Sequence, residues 1–159
     1  MRAIIIEPLA EASGVPLGLL LLADPCKAMI ARYRWKSRAL VAKDEGRIIG
    51  AALTMGTGPG VEEIMNLAVQ REHRRRGIGS ALLDATIRRA ESEGCRSVEI
   101  GTGNSSLDQL AFYQRRGFRI VGVLPDFFRA NYPEAIFENG IECRDMVRLR
   151  LDLDYLARK

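Results

Sequence analysis

The chain has one histidine, one tryptophan and three cysteines in 159 residues, and no long apolar run. With His73 as its single imidazole, a histidine-based metal centre and a Ser-His-Asp triad are poor expectations. Cys26, Cys95 and Cys143 are far apart, odd in number and form no C-x-x-C, so they read as reduced thiols and not as a disulfide frame or zinc site. Leu17–Ala23 is the most apolar early run and is too short to span a bilayer. Glu7, Glu11 and Asp24 around it do not suit a signal peptide. A cytoplasmic protein with no membrane partner is expected. Charge of one sign is also lacking: 24 basic residues face 20 acidic ones, a net +4. That is too mild to argue for nucleic acid, so what matters is where the basic residues cluster.

What is present suits a folded globular chain. Apolar residues make up 47% and charged residues 28%, and the length fits one domain over residues 1–159. The β-branched run Ala3–Ile6, closed by Pro8, reads as an opening strand. Residues 16–36 read as helix, broken at Asp24-Pro25, with Asp24 capping the second helix and Pro25 at its first position. Ala39–Ala42 and Arg47–Leu53 flank Asp44-Glu45-Gly46, a hairpin signal. Thr57–Gly60 is a loop, Glu62–Val69 a strand, and Gly77–Glu93 a helix closed by Gly94. Ser97–Ile100 is a strand expected to run parallel to Glu62–Val69. Ser106-Leu-Asp-Gln109 is a capping box opening a helix that ends at Gly117. Phe118–Val123 is a strand, and residues 125–138 are an aromatic and acidic loop. Asn139-Gly140 is a hairpin turn, and Val147, Leu149, Leu151 and Leu153 alternate in a last strand. The fold class is α/β: a single domain with a mixed sheet of six or seven strands and helices on both faces.

The stretch Gln70–Gly79, Q-R-E-H-R-R-R-G-I-G, joins an apolar strand to a helix. This order brings backbone N–H groups and the positive end of a helix dipole to one point. Gly77 and Gly79 carry no Cβ to keep a phosphate from that backbone. Arg71, Arg74, Arg75 and Arg76 offer guanidinium groups that match phosphate oxygens. The alternative is that the arginines are a solvated surface, which is also the reading of His73 among them. The Walker pattern is excluded because no G-K-[ST] follows, and Leu82 stands where the third glycine of a dinucleotide motif would fall.

Arg74-x-x-Gly77-x-Gly79 between strand and helix resembles the acyl-CoA signature of the GNAT superfamily of N-acyltransferases. Asn104 and then Ala111-Phe-Tyr113-Gln-Arg-Arg-Gly117-Phe118 are similar to the second half of that signature, with a spacing from Asn104 to Tyr113 two residues longer than usual. The match is best from about Glu62 to Val123. The resemblance implies a GNAT-like fold and transfer of an acetyl group from acetyl-CoA to a primary amine of a small molecule or peptide. It implies that acetyl-CoA meets Leu67, Ala68, Val69, Arg74, Arg75, Arg76, Gly77, Ile78, Gly79, Ser80, Asn104 and Tyr113, with the amides of Leu67 and Val69 holding the acyl arm. Some members carry a catalytic glutamate where this chain has Glu63, and in many the tyrosine matching Tyr113 is read as the acid.

The chemistry asks for such groups independently. An amine with a pKa of about 10.4 costs about 4–5 kcal/mol to deprotonate at neutral pH. A carboxylate, direct or through a water, can accept that proton during attack. Glu63 is the candidate base; alternatively Glu62 and Glu63 only solvate the start of a strand. Tyr113 is the candidate donor to the leaving thiolate, or else a half-buried core tyrosine. Asn66 interrupts the apolar run, and a bulge near Asn66–Leu67 would free amides for an oxyanion. No covalent enzyme intermediate is needed, so Cys95 and Cys143 read as inert. Phe127, Phe128, Tyr132 and Phe137, interleaved with Asp126, Glu134 and Glu138, suit a pocket for a cationic amine, and equally a sheet edge or homodimer interface.

Two other functions compete. Val98-Glu-Ile-Gly-Thr-Gly103 resembles the glycine motif of S-adenosylmethionine-dependent methyltransferases, but Ser105 replaces the third glycine and few βα units follow. A nucleic-acid-binding module would use Arg71–Arg76 with Arg88 and Arg89. Those arginines border a glycine turn instead of lining an extended face with exposed aromatics, so no nucleic-acid partner is expected.

Overall fold

The computed structural model describes residues 3–154. The chain divides into two compact units, one ending at Cys95 and one beginning at Arg96.

In the first unit, strands β1 (Ile5–Leu9), β2 (Arg38–Asp44), β3 (Arg47–Gly58) and β4 (Val61–Val69) lie side by side in chain order, each antiparallel to the next. The β2–β3 hairpin turns on Glu45 and Gly46, both at positive φ (50° and 79°), with Asp44 opposite Arg47. Two left-handed residues match the natural twist of antiparallel strands, which is why Asp-Glu-Gly signalled this turn. Two expectations need correction. Pro8 lies inside β1 and does not close it, because an edge strand has an outer side where no N–H is needed. Thr57 and Gly58 continue β3, so only Pro59 and Gly60 form the turn.

Helices cover both faces of this four-stranded sheet. Helices α1 (Leu17–Leu20) and α2 (Lys27–Arg34) bury Leu19, Leu20, Ile30 and Tyr33 against Ala39, Val41, Ala51, Leu53 and Ala68. On the other face α3 (Ile78–Ser92) buries Ile78 and Leu82 against Leu40, Ala42, Ile49 and Ala52. Gly50 permits this approach: a Cβ there would stand 3.1 Å from Leu82 Cδ1 and 3.3 Å from both Ile78 Cγ2 and the Ala68 carbonyl. Between α1 and α2, Asp24 accepts the Cys26 N–H at 3.2 Å, and Cys26, not Asp24, holds the cap position.

In the second unit, β9 (Met146–Asp152) lies between β5 (Ser97–Gly103) and β6 (Arg119–Leu124), antiparallel to both. Four strands and three make the seven of the expected range. Helix α4 (Leu107–Arg115) follows β5, and Gly117 at φ 93° ends it. The capping box does not form. Ser106 Oγ donates to Glu138 at 2.9 Å, and Gln109 accepts from Thr102 at 2.8 Å. The expected loop at residues 125–138 contains a short helix, α5 (Phe127–Asn131), and ends in β7 (Phe137–Glu138). Asn139 and Gly140, at φ 56° and 73°, turn β7 into β8 (Ile141–Glu142) as expected.

Candidate active site

Strand β4 carries the first part of the site. Leu53 pairs with Asn66 and Thr54 with Ile64, so Met65 is an extra residue, a bulge one position before the one expected. The bulge shifts the phase of the strand. Beyond it Ala68 packs on the α1–α2 side, while Leu67 and Val69 pack on the α3 side. Before it Met65 packs on the α1–α2 side, and strand alternation puts Glu63 on that same face and Glu62 on the other.

The two glutamates therefore differ. Glu62 is buried and accepts Arg38 Nε at 3.1 Å, so it does not solvate the start of the strand as one reading supposed. Arg38 also grips Glu93 of α3, which holds the Glu93 carboxyl below the usual carboxylate range. Arg89 donates to Thr54 at 3.0 Å beside them, its pKa lowered by burial and by the charge of Arg38. Glu63 is half-buried on the opposite face.

Asn66 anchors the bulge. Its Nδ2 donates to the Leu20 carbonyl and to the Tyr33 hydroxyl, both at 3.0 Å, and its buried Oδ1 accepts nothing from the described residues. Tyr33 donates to Asp24 at 3.1 Å, and burial pushes its phenol up. This Asp24–Tyr33–Asn66 chain was not legible from the sequence, where only a polar residue within an apolar strand hinted at it.

The arginine-glycine turn follows β4. Arg74 Nε donates back to the Val69 carbonyl at 3.2 Å, Arg75 is left-handed at φ 62°, and Arg76 meets His73 Nδ1 at 2.8 Å. Gly77 caps α3 at φ 76°, is exposed, and has open space where a Cβ would point. At Gly79 a Cβ would lie 3.8 Å from Val69. Gly77 O accepts the first helical bond, from Ala81 N–H. The N–H groups of Ile78, Gly79 and Ser80 come before that bond and have no acceptor within the helix. Exposed glycine, free amides and three exposed guanidinium groups make a turn that fits a diphosphate.

In the second unit, Asn104 spends its side chain on the chain before β9. Nδ2 donates to the Glu142 carbonyl at 3.1 Å, and Oδ1 accepts from the amides of Arg144 and Asp145 at 2.8 and 3.0 Å. Tyr113 is 3% exposed, edge-on to Phe112 and Phe118 with ring centroids 5.0 and 5.4 Å away. Burial pushes its phenol up. Of the residues expected to line an acceptor pocket, Phe128, Tyr132 and Glu134 surround a cavity of about 170 Å³. Asp126 instead pairs with Arg144, Glu138 accepts from Ser105 and Ser106, and Phe137 is exposed. The thiols of Cys95 and Cys143 are both pushed up by burial, which disfavours the nucleophilic thiolate.

Comparisons with known proteins agree with this geometry. The family model described as acetyltransferase (GNAT) family matches residues 16–118. The uncharacterized N-acetyltransferase YvbK of Bacillus subtilis is 42% identical over 153 residues, covering 96% of this chain and 99% of that one. A solved IAA acetyltransferase from Bacillus cereus is 43% identical with a TM-score of 0.89, over 94% of this chain and 99% of its own. A GNAT family acetyltransferase from Elizabethkingia anophelis, solved with acetyl-CoA bound, is 42% identical with a TM-score of 0.89, over 94% of this chain and 97% of its own.

Proposed function

Because the chain belongs to the acetyltransferase (GNAT) family and is an N-acetyltransferase that uses acetyl-CoA, we propose that it acetylates a primary amine by direct attack. The turn at residues 74–80 carries this reading: its exposed left-handed glycine, amides without helical acceptors and flanking arginines suit the diphosphate of coenzyme A. Arg74, Arg75, Arg76 and the amides of Gly77, Ile78, Gly79 and Ser80 hold the phosphates. Leu67, Ala68 and Val69, beyond the bulge, hold the acyl arm. With its side chain committed to residues 142–145, Asn104 contributes by shaping the end of β5.

In the reaction the amine nitrogen forms a bond to the acetyl carbon, the carbon–sulfur bond breaks, and the electron pair leaves on sulfur. The amine's proton passes to Glu63, directly or through a water, on the face that β4 turns toward α1 and α2. Tyr113 supplies its phenolic hydrogen to the departing thiolate and is reprotonated through solvent as Glu63 releases the proton it took, so both groups return to their starting states. Burial keeps the phenol protonated and makes it a weaker acid, so its hydrogen moves only as charge builds on the sulfur. The products are the N-acetylated amine and free coenzyme A.

One domain over residues 1–159 and a cytoplasmic location, where the three free thiols stay reduced, complete the reading. No helix of the described residues is long and apolar enough to cross a membrane. A homodimer is supported by β6, an edge strand with Ile120, Val121, Val123 and Leu124 exposed.

Melting temperature with acetyl-CoA and with S-adenosylmethionine tests the donor, since a ligand bound only to the folded state raises stability. A rise with acetyl-CoA alone is expected, and a rise with S-adenosylmethionine alone overturns the assignment. Initial rates of thiol release at varied donor and amine test the order of events. Intersecting reciprocal plots are expected, and parallel ones would mean a covalent acetyl-enzyme.

A further inference from the structure

The cavity in the second unit has a composition that selects a ligand. Its volume is about 170 Å³, and an apolar cavity of roughly 150 Å³ already admits a benzene ring. One wall is the Phe128–Tyr132 pair, with ring centroids 5.2 Å apart and planes tilted by 46°. Three charged side chains line it: Arg129, Glu134 and Glu142. Arg129 donates to both carboxylate oxygens of Glu142, at 2.6 and 2.9 Å, so that pair neutralises itself. Glu134 remains, and among the described residues no cation pairs with it. The cavity thus combines aromatic faces with one uncompensated negative charge, a combination that favours a cation over a neutral or anionic guest.

Its position is equally informative. Cys143 lines the cavity, and its buried thiol behaves there as a small apolar group. A Cβ on Gly103 would come 2.4 Å from the Cys143 sulfur and 3.7 Å from the Phe128 ring, so the cavity adjoins the C-terminal end of β5.

We infer that this cavity is a binding site for a primary ammonium bearing a small aryl or alkyl group, with Glu134 determining specificity for the charge. The amine binds protonated, its ammonium against Glu134 and its aryl or alkyl group against the Phe128–Tyr132 wall.

The test is binding of 2-phenylethylamine and of its neutral analogue 2-phenylethanol to the full chain, followed by amide chemical shifts. The amine is expected to bind about fivefold more tightly than the alcohol, the scale of an exposed ion pair, with shifts at Phe128, Tyr132 and Glu134. Glu134→Gln should remove that preference, leave the alcohol's affinity unchanged and keep the melting shift given by acetyl-CoA. Equal affinities in the native chain, a preference that survives Glu134→Gln, absence of amine binding, or shifts confined elsewhere would each overturn the site. If acetyl-CoA still raises the melting temperature in those cases, only the cation site falls. Charge-selective amine binding without any acetyl-CoA effect would sink the donor reading and leave the cation site standing.

Discussion

The side-chain amide of Asn66 donates at 3.0 Å to the main-chain carbonyl of Leu20, forty-six positions earlier in the chain. One hydrogen bond thereby fixes the bulge of β4 to the end of α1. Replacing Asn66 with Ala removes this bond and the one to Tyr33, while the Leu20 carbonyl still accepts from the amides of Ala23 and Asp24 and Tyr33 still donates to Asp24. Each lost bond then costs about 0.5–1.5 kcal/mol. Urea denaturation should show a lower midpoint, corresponding to that loss of stability, with an unchanged slope.

Tyr113→Phe keeps the ring that packs on Phe112 and Phe118 and removes only the hydroxyl. In the proposed mechanism this lowers kcat by about a hundredfold, the lower range for acid–base groups, with the KM for acetyl-CoA unchanged. Steady-state thiol release measures both, and an unaltered kcat would remove Tyr113 from the chemistry.

Gly77→Val forces a β-branched residue to φ 76°, at a cost of about 1–2 kcal/mol. Nothing lies where the new Cβ would point, so the penalty is conformational and not a clash. The same side chain would project from the turn proposed to hold the diphosphate. Calorimetry should find a lower melting temperature and a smaller rise on adding acetyl-CoA.

The phenols of Tyr33 and Tyr113 are both pushed above the ordinary tyrosine value by burial. A group whose pKa is raised on folding stabilises fully below its unfolded value and loses that contribution as pH rises toward the folded value. Stability should therefore begin to fall above about pH 8.5, where the unfolded thiols of Cys95 and Cys143 ionise ahead of their buried counterparts, and fall more steeply above about pH 10, the unfolded tyrosine value. Denaturation at stepped pH checks this, and Tyr113→Phe should flatten the fall.

Turn chemistry was the most legible part of this sequence. Glu45-Gly46 and Asn139-Gly140 are left-handed pairs, and Gly77, Gly94 and Gly117 stand at positive φ where helices begin or end. These positions are governed by local sterics, which adjacent residues report. Ser106 and Gln109 show where local reasoning stops. Both have the spacing of a capping box, yet Glu138 and Thr102 claim their side chains. The site was legible in the same uneven way. The arginine-glycine turn was readable because phosphate chemistry leaves a compact local pattern. Solvation stood as one reading of Glu62 because the partner that meets it, Arg38, comes from β2 and is shared with Glu93 of α3. The helix α5 was missed because aromatic and turn-forming residues mask its single helical turn and more.

Met65 has no opposite number in β3, and this breaks the parity of the strand. Met65 and Asn66 therefore turn to the same side. Had the ladder run regularly through Met65, alternation back from Asn66 would put Glu63 on the side of α3 and Glu62 on the side of α1 and α2. The carboxylate now tied to Arg38 would then stand where the proposed base stands. Which of two neighbouring glutamates faces α1 and α2 is thus decided by one unpaired residue, not by either side chain.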